Sequence, residues 1–118
     1  MFTSARQQLL QGAYHSARVG FDNLLTTYPT AEQAPAAQLA VGEAYKGEGN
    51  LAAADSVYQL VATKFPGAPE AASGLYRHGK SLWDTGKKAE ARRVFDRIIK
   101  EYANSDEARQ AKALLGER

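Results

Sequence analysis

The sequence predicts an all-α protein, an α-solenoid of three stacked helix pairs closed by a seventh, capping helix. Three observations lead there. The 118 residues repeat themselves at a step of 37: Gly12, Gly49 and Gly86; Ala17, Ala54 and Ala91; Phe21, Tyr58 and Phe95; Leu24, Val61 and Ile98; Tyr28, Phe65 and Tyr102; Gly42, Gly79 and Gly116. Self-similarity at one fixed period marks a stacked-repeat architecture. Inside a unit, apolar and small residues recur at spacings of three and four, as in Leu39, Gly42, Tyr45 and then Leu51, Ala54, Tyr58, Val61, Phe65, which is the helical period. No stretch alternates apolar and polar residues as a half-buried strand would.

Helices are expected at about 2–11, 14–27, 33–48, 51–64, 69–85, 88–101 and 105–116. In the first pair Gly12 supplies the left-handed residue that closes a helix, and Pro29, lacking an N–H, stops the second helix. The second pair starts at Pro35, where a missing donor costs nothing, turns at Gly49 and is ended by Pro66. The third starts at Pro69 and turns at Gly86, with Ala103 standing where the earlier units have proline. "SDEARQAKALLGER" reads as the cap, with Ser105 as N-cap and Ala108, Ala111 and Leu115 as the inner face. The chain thus reads as a single domain, 1–118, with repeats at about 2–30, 31–67 and 68–103 and the cap at 104–118. Gly42 and Ala54, twelve apart across the turn, are expected to face each other where their helices cross, with Tyr45 and Tyr58 filling the space beside them. Gly79, Ala91, Leu82 and Phe95 repeat that arrangement.

Composition removes several classes of function. A net charge of +2 does not by itself imply a nucleic-acid partner. The charge is uneven: residues 1–76 hold 4 basic and 6 acidic side chains, and residues 77–118 hold 11 and 7. The C-terminal third therefore carries a mild positive field. There is no cysteine, hence no disulfide framework or thiolate chemistry. No apolar run approaches the roughly 18 residues that a membrane-spanning helix needs. "MFTSARQQLL" does not read as a signal peptide, so export of the natural protein would make this chain a processed or excised piece.

The order Gly42, Tyr45, Ala54, Tyr58, Pro66 resembles the tetratricopeptide repeat (TPR), a helix-turn-helix unit, here with a longer linker after the proline. The resemblance implies a right-handed solenoid. The run from "LLTTYPTAEQAP" to "RHGKSL", with "EARRVFDRIIKEYANSDEARQAKALL", is similar to the C-terminal domain of the YbgF/CpoB family of periplasmic, Tol–Pal-associated proteins. The lipoprotein BamD of outer-membrane protein assembly shares the long-linker style. Repeats of this kind bind partners on the concave surface lined by their first helices. Carried over residue by residue, that resemblance places the groove at Phe2, Arg6 and Leu9, at Leu39, Glu43 and Lys46, and at Tyr76, Lys80 and Trp83. Apolar anchors alternate with charges there, the composition of a peptide site. Gly42, Ala54, Tyr58, Pro66, Gly79, Ala91 and Phe95 are assigned to building the repeat.

Each candidate has a plainer reading. Trp83 either anchors a partner, as interface aromatics do, or packs on the cap helix through Leu114. Lys80, one turn from Tyr76, either holds a carboxylate beside an aromatic wall or is a solvated lysine. Leu9 and Leu39 read as helix contacts, and Glu43 and Lys46, three apart, as a pair. His78 reads as a histidine satisfied locally, and His15 and His78 have no metal-site spacing. "KKAEARRVFDRIIK" reads as a solvated convex face, with Asp84–Lys88 and Asp96–Lys100 spaced as i, i+4 pairs, rather than a phosphate-binding stripe. No glycine-rich phosphate loop, nucleophile elbow or ligand cluster supports an enzyme, a cofactor or a metal.

The expectation is therefore a non-enzymatic protein-interaction module without membrane insertion. By the YbgF/CpoB resemblance it is periplasmic, with a TolA-like partner, a role in coordinating cell division with the envelope, and a trimerising coiled coil upstream of this chain. The alternatives are a BamD-like assembly scaffold and a peptide-binding co-chaperone. The carboxylate clamp of the last needs asparagines on first helices, and Asn23, Asn50 and Asn104 lie elsewhere.

Overall fold

Where the chain can close a helix with a left-handed glycine, it does. The computed structural model describes residues 1–116. Its helices are α1 (Phe2–Leu10), α2 (Tyr14–Thr27), α3 (Ala34–Gly47), α4 (Leu51–Lys64), α5 (Pro69–Asp84), α6 (Lys88–Glu101) and α7 (Asp106–Leu115), and the described residues contain no strand. Each lies within a residue or two of its expected span. Gly12, Gly49 and Gly86 have φ of +82°, +83° and +86°, a region that any Cβ strains. The N–H of Gly49 donates to Lys46 O at 3.0 Å and that of Asn50 to Tyr45 O at 2.9 Å, the two bonds of a Schellman closure. The turns at Gly12 and Gly86 repeat both bonds.

Capping follows the sequence. Pro35 and Pro69 stand in the first turns of α3 and α5. Asn50 Oδ1 accepts from the Ala53 N–H at 3.2 Å, starting α4. Ser105 Oγ accepts from the Ala108 N–H at 3.0 Å, starting α7. The serine hydroxyl also donates to Tyr102 O at 2.6 Å, tying α7 to the end of α6. Ser105→Ala removes both bonds, and a loss of about 1 kcal/mol in urea unfolding is the expected result. An unchanged midpoint would mean that packing alone holds the cap.

Every helix packs on its neighbours in sequence, and α1, α3, α5 and α7 also touch one another in succession. The even helices α2, α4 and α6 make no such contacts among themselves. A stack whose odd helices are closer together than its even ones is curved, with the odd helices on the inner side. The molecule measures 41 × 28 × 19 Å. Two buried clusters fill it: one around Phe21, Leu24 and Val41, the other around Leu75, Phe95 and Ile98. Fully burying side chains of this size contributes about 1.5–3 kcal/mol each.

The small residues serve a purpose other than the expected one. A Cβ on Gly42 would stand 2.6 Å from the Tyr58 ring, and one on Gly79 would stand 2.6 Å from the Phe95 ring. Each glycine makes a seat for the aromatic ring of the paired helix, so Tyr58 lies on Gly42 rather than beside a Gly42–Ala54 contact. Ala54 and Ala91 are buried without being the atoms that limit Gly42 and Gly79. Pro66 closes the second pair as expected, and its carbonyl accepts from Tyr102 Oη at 2.8 Å.

Candidate functional site

The inner side of the stack carries a cleft of about 520 Å³. Its α5 wall runs from Ser73 to Asp84, continues into the capping Thr85, and includes Tyr76, Arg77 and Lys80. Lys46 of α3 and Leu51, Asp55 and Tyr58 of α4 face that wall on one side, and Glu107 and Gln110 of α7 on the other. Leu51 opens α4 and is 61% exposed, giving one end of the cleft an apolar lip.

Of the nine residues assigned to a groove from the sequence, three meet here, Lys46, Tyr76 and Lys80, while Phe2 and Leu9 pack against the first buried cluster. Glu43 approaches the rim through Arg77, with Arg77 Nη2 and Glu43 Oε1 2.8 Å apart. The expected Glu43–Lys46 pair gives way to this α3–α5 bridge. Leu39 is half-buried on α3 and Arg6 exposed on α1, both outside the cleft lining. Trp83 also lies outside it. Its ring is 6.2 Å from Phe95, and Lys88 Nζ sits 4.8 Å from its centroid. Lys88 is thereby used, and Asp84 pairs with Lys80 at 3.3 Å instead. On α6 the i, i+4 ion pair joins Arg97 to Glu101 at 3.0 Å.

The cleft's charges are largely spoken for. His78 Nδ1 and Asp55 Oδ1 are 2.7 Å apart, joining α5 to α4, so the histidine is satisfied by its neighbour helix. Ser73 Oγ donates to Glu107 Oε2 at 2.8 Å, joining α5 to α7. Lys46 has no ion-pair partner among the described residues. Burial holds the Tyr58 phenol above its usual pKa, with the nearby Arg77 guanidinium opposing that shift. At neutral pH it is an O–H donor. Farther along the stack, Arg18 donates to Glu48 through Nε (3.1 Å) and Nη2 (3.3 Å) and lies 4.5 Å from the Tyr45 centroid. His15, in α2, takes part through a 3.0 Å contact with Arg18 Nη2.

Tyr58, Leu51, Arg77 and Gln110 are cleft residues that the repeat alignment did not select. One signal was available: at the register of Phe21 and Phe95, Tyr58 alone carries a hydroxyl. The described residues contain no group of three or more His, Cys, Asp or Glu placed to hold a metal ion. No described helix is long and apolar enough to cross a membrane.

Helix pairs stacked at a constant register define a tetratricopeptide-like repeat protein. The chain matches the model of the YfiO family, described as outer membrane lipoprotein, over residues 1–117. It belongs to that family. No curated protein matches the chain.

Proposed function

We propose that the chain is a non-enzymatic scaffold of the outer-membrane periphery that holds an extended segment of another protein in the cleft between α4, α5 and α7. The observation that carries this reading is the cleft itself. Tyr76 and Leu51 offer apolar surface between polar groups from four helices, the mixed lining that fixes a peptide's position and orientation. Its lining offers partner contacts, and the repeat architecture accounts for the glycines at the turns and helix crossings. The family's description as outer membrane lipoproteins favours the BamD-like assembly role and an envelope location, with the segment belonging to an outer-membrane protein on its way to assembly.

The Tol–Pal role is the second reading, favoured by the similarity of the repeats to YbgF/CpoB. Both are tested by NMR titration of the amide-labelled domain, once with unfolded outer-membrane protein segments and once with the TolA periplasmic domain. Shifts at Lys46, Tyr76 and Lys80 with the first, weakened about tenfold or more by Tyr76→Ala, are the expected result. The same shifts with TolA alone would move the assignment to Tol–Pal. Amides of the cleft that stay still with both at millimolar concentration would overturn the cleft as the site.

A further inference from the structure

Tyr58 occupies the register that Phe21 and Phe95 fill in the other two pairs. All three side chains are buried, and the Tyr58 ring rests on Gly42 as the Phe95 ring rests on Gly79. Phenylalanine suffices for that packing, so the hydroxyl needs its own explanation. Tyr58 is 4% exposed, and its Oη has no hydrogen-bond partner among the described residues. A buried, unpaired hydroxyl is destabilising, and this one belongs to a side chain of the cleft wall.

Arg77 lies over it, the guanidinium carbon 5.8 Å from the ring centroid. The arginine is held toward α3 by Glu43, and the two side chains are 40% and 33% exposed. An ion pair that open to water is weak and readily exchanged. Lys46, three residues along α3 from Glu43, lines the same cleft. The corner thus brings a guanidinium and a hydroxyl donor together, with Glu43 on the guanidinium and the nearby Asp55 already engaged by His78.

We propose that this corner is a carboxylate-reading subsite: an acidic side chain of a bound segment takes the place of Glu43 on Arg77 and accepts the hydrogen bond of the Tyr58 hydroxyl. The inference rests on the scaffold reading above and names the chemistry of its partner. Glu43 is the ligand's stand-in while the cleft is empty, and Arg77 turns aside to open the hydroxyl when the ligand carboxylate arrives. The α5 wall from Ser73 to Asp84 is about 16 Å of helix, the length of about five extended residues. A segment of that length passes the subsite with residues on either side, which makes its acid a side chain rather than a chain terminus.

Two pools of heptapeptides, acetylated and amidated, provide the probe: apolar and small residues around a central Glu in one pool, a central Gln in the other. Dissociation constants come from titration of the protein labelled with ¹³C at tyrosine Cζ. The Glu pool is expected to bind about tenfold tighter or more, and to shift the Tyr58 resonance. Tyr58→Phe should weaken the Glu pool alone by a similar factor while leaving the thermal midpoint level or higher. Glu43→Gln should tighten it about fivefold by freeing Arg77, an effect that a purely structural Glu43–Arg77 bridge would not produce. Equal binding of the two pools overturns the carboxylate while leaving the cleft as a peptide site. Binding of the Glu pool that Tyr58→Phe does not change, or binding by neither pool, also overturns the subsite.

Discussion

Phe95→Ala is expected to destabilise the protein by about 3–5 kcal/mol, a large share of the roughly 5–15 kcal/mol that holds a domain folded. The Phe95 side chain is 0% exposed. Its ring centroid lies 5.6 Å from that of Tyr76 and 6.2 Å from that of Trp83, and its edge fills the seat at Gly79. Truncation therefore removes a buried transfer free energy and leaves a cavity bordered by a glycine, which has no side chain to collapse into it. The damage extends to the site, because Tyr76 is a cleft wall held against that ring. Urea unfolding followed by circular dichroism measures the loss. A value below about 1.5 kcal/mol would show that α5 and α6 close over the gap, and that the aromatic group is not the keystone of the second cluster.

Gly74→Ala should destabilise by about 1–2 kcal/mol, against the ordinary sign of that change. In a helix interior alanine is favoured over glycine by about 1 kcal/mol. Gly74 is in the second turn of α5, yet a Cβ there would stand 2.5 Å from the Tyr58 carbonyl oxygen and 3.1 Å from Val61 Cβ. The first of these is backbone, which yields only if α4 and α5 separate, and overpacking of that kind costs about 1–3 kcal/mol. Gly67, whose added Cβ would meet nothing within 4 Å, is the control, with Gly67→Ala expected near neutral. Equal midpoints for the two variants would mean that α5 can shift away from α4 freely. The loss in Gly74→Ala should appear together with weaker peptide binding, since Tyr58, Tyr76 and Arg77 all lie at that helix crossing.

Much of the fold was legible because repetition amplifies a weak signal. One glycine between two apolar runs suggests a turn; three at the same step, each able to take positive φ, define the helix pairs. Ser105, Pro35 and Pro69 could be placed because their effects on helix ends are local. The role of Gly42 was misread for the opposite reason. Spacing shows that a small residue is required, but whether it admits an alanine or an aromatic ring depends on the crossing geometry. The site was legible where the repeat template reaches it, at Lys46, Tyr76 and Lys80. It was illegible at Leu51, Arg77 and Gln110, whose meeting depends on the offset between successive pairs. Ion pairing showed the same limit. Glu43 has Lys46 one turn away on its own helix, yet it reaches Arg77 across the groove, a contact that no single-helix spacing encodes.

The asymmetry between the two sides of the stack makes the molecule a leaf spring. Its odd helices touch in series along the inner side, while α2, α4 and α6 have no direct contact along the outer side. Flexing it therefore slides and tilts the outer leaves without rupturing bonds between them, and the resistance comes from the neighbour-to-neighbour packing that governs such arrays. The mouth of the cleft is on the inner side, so small changes of curvature add up across its width. A segment lodged there would bridge the leaves from α4 to α7 and stiffen that half of the spring.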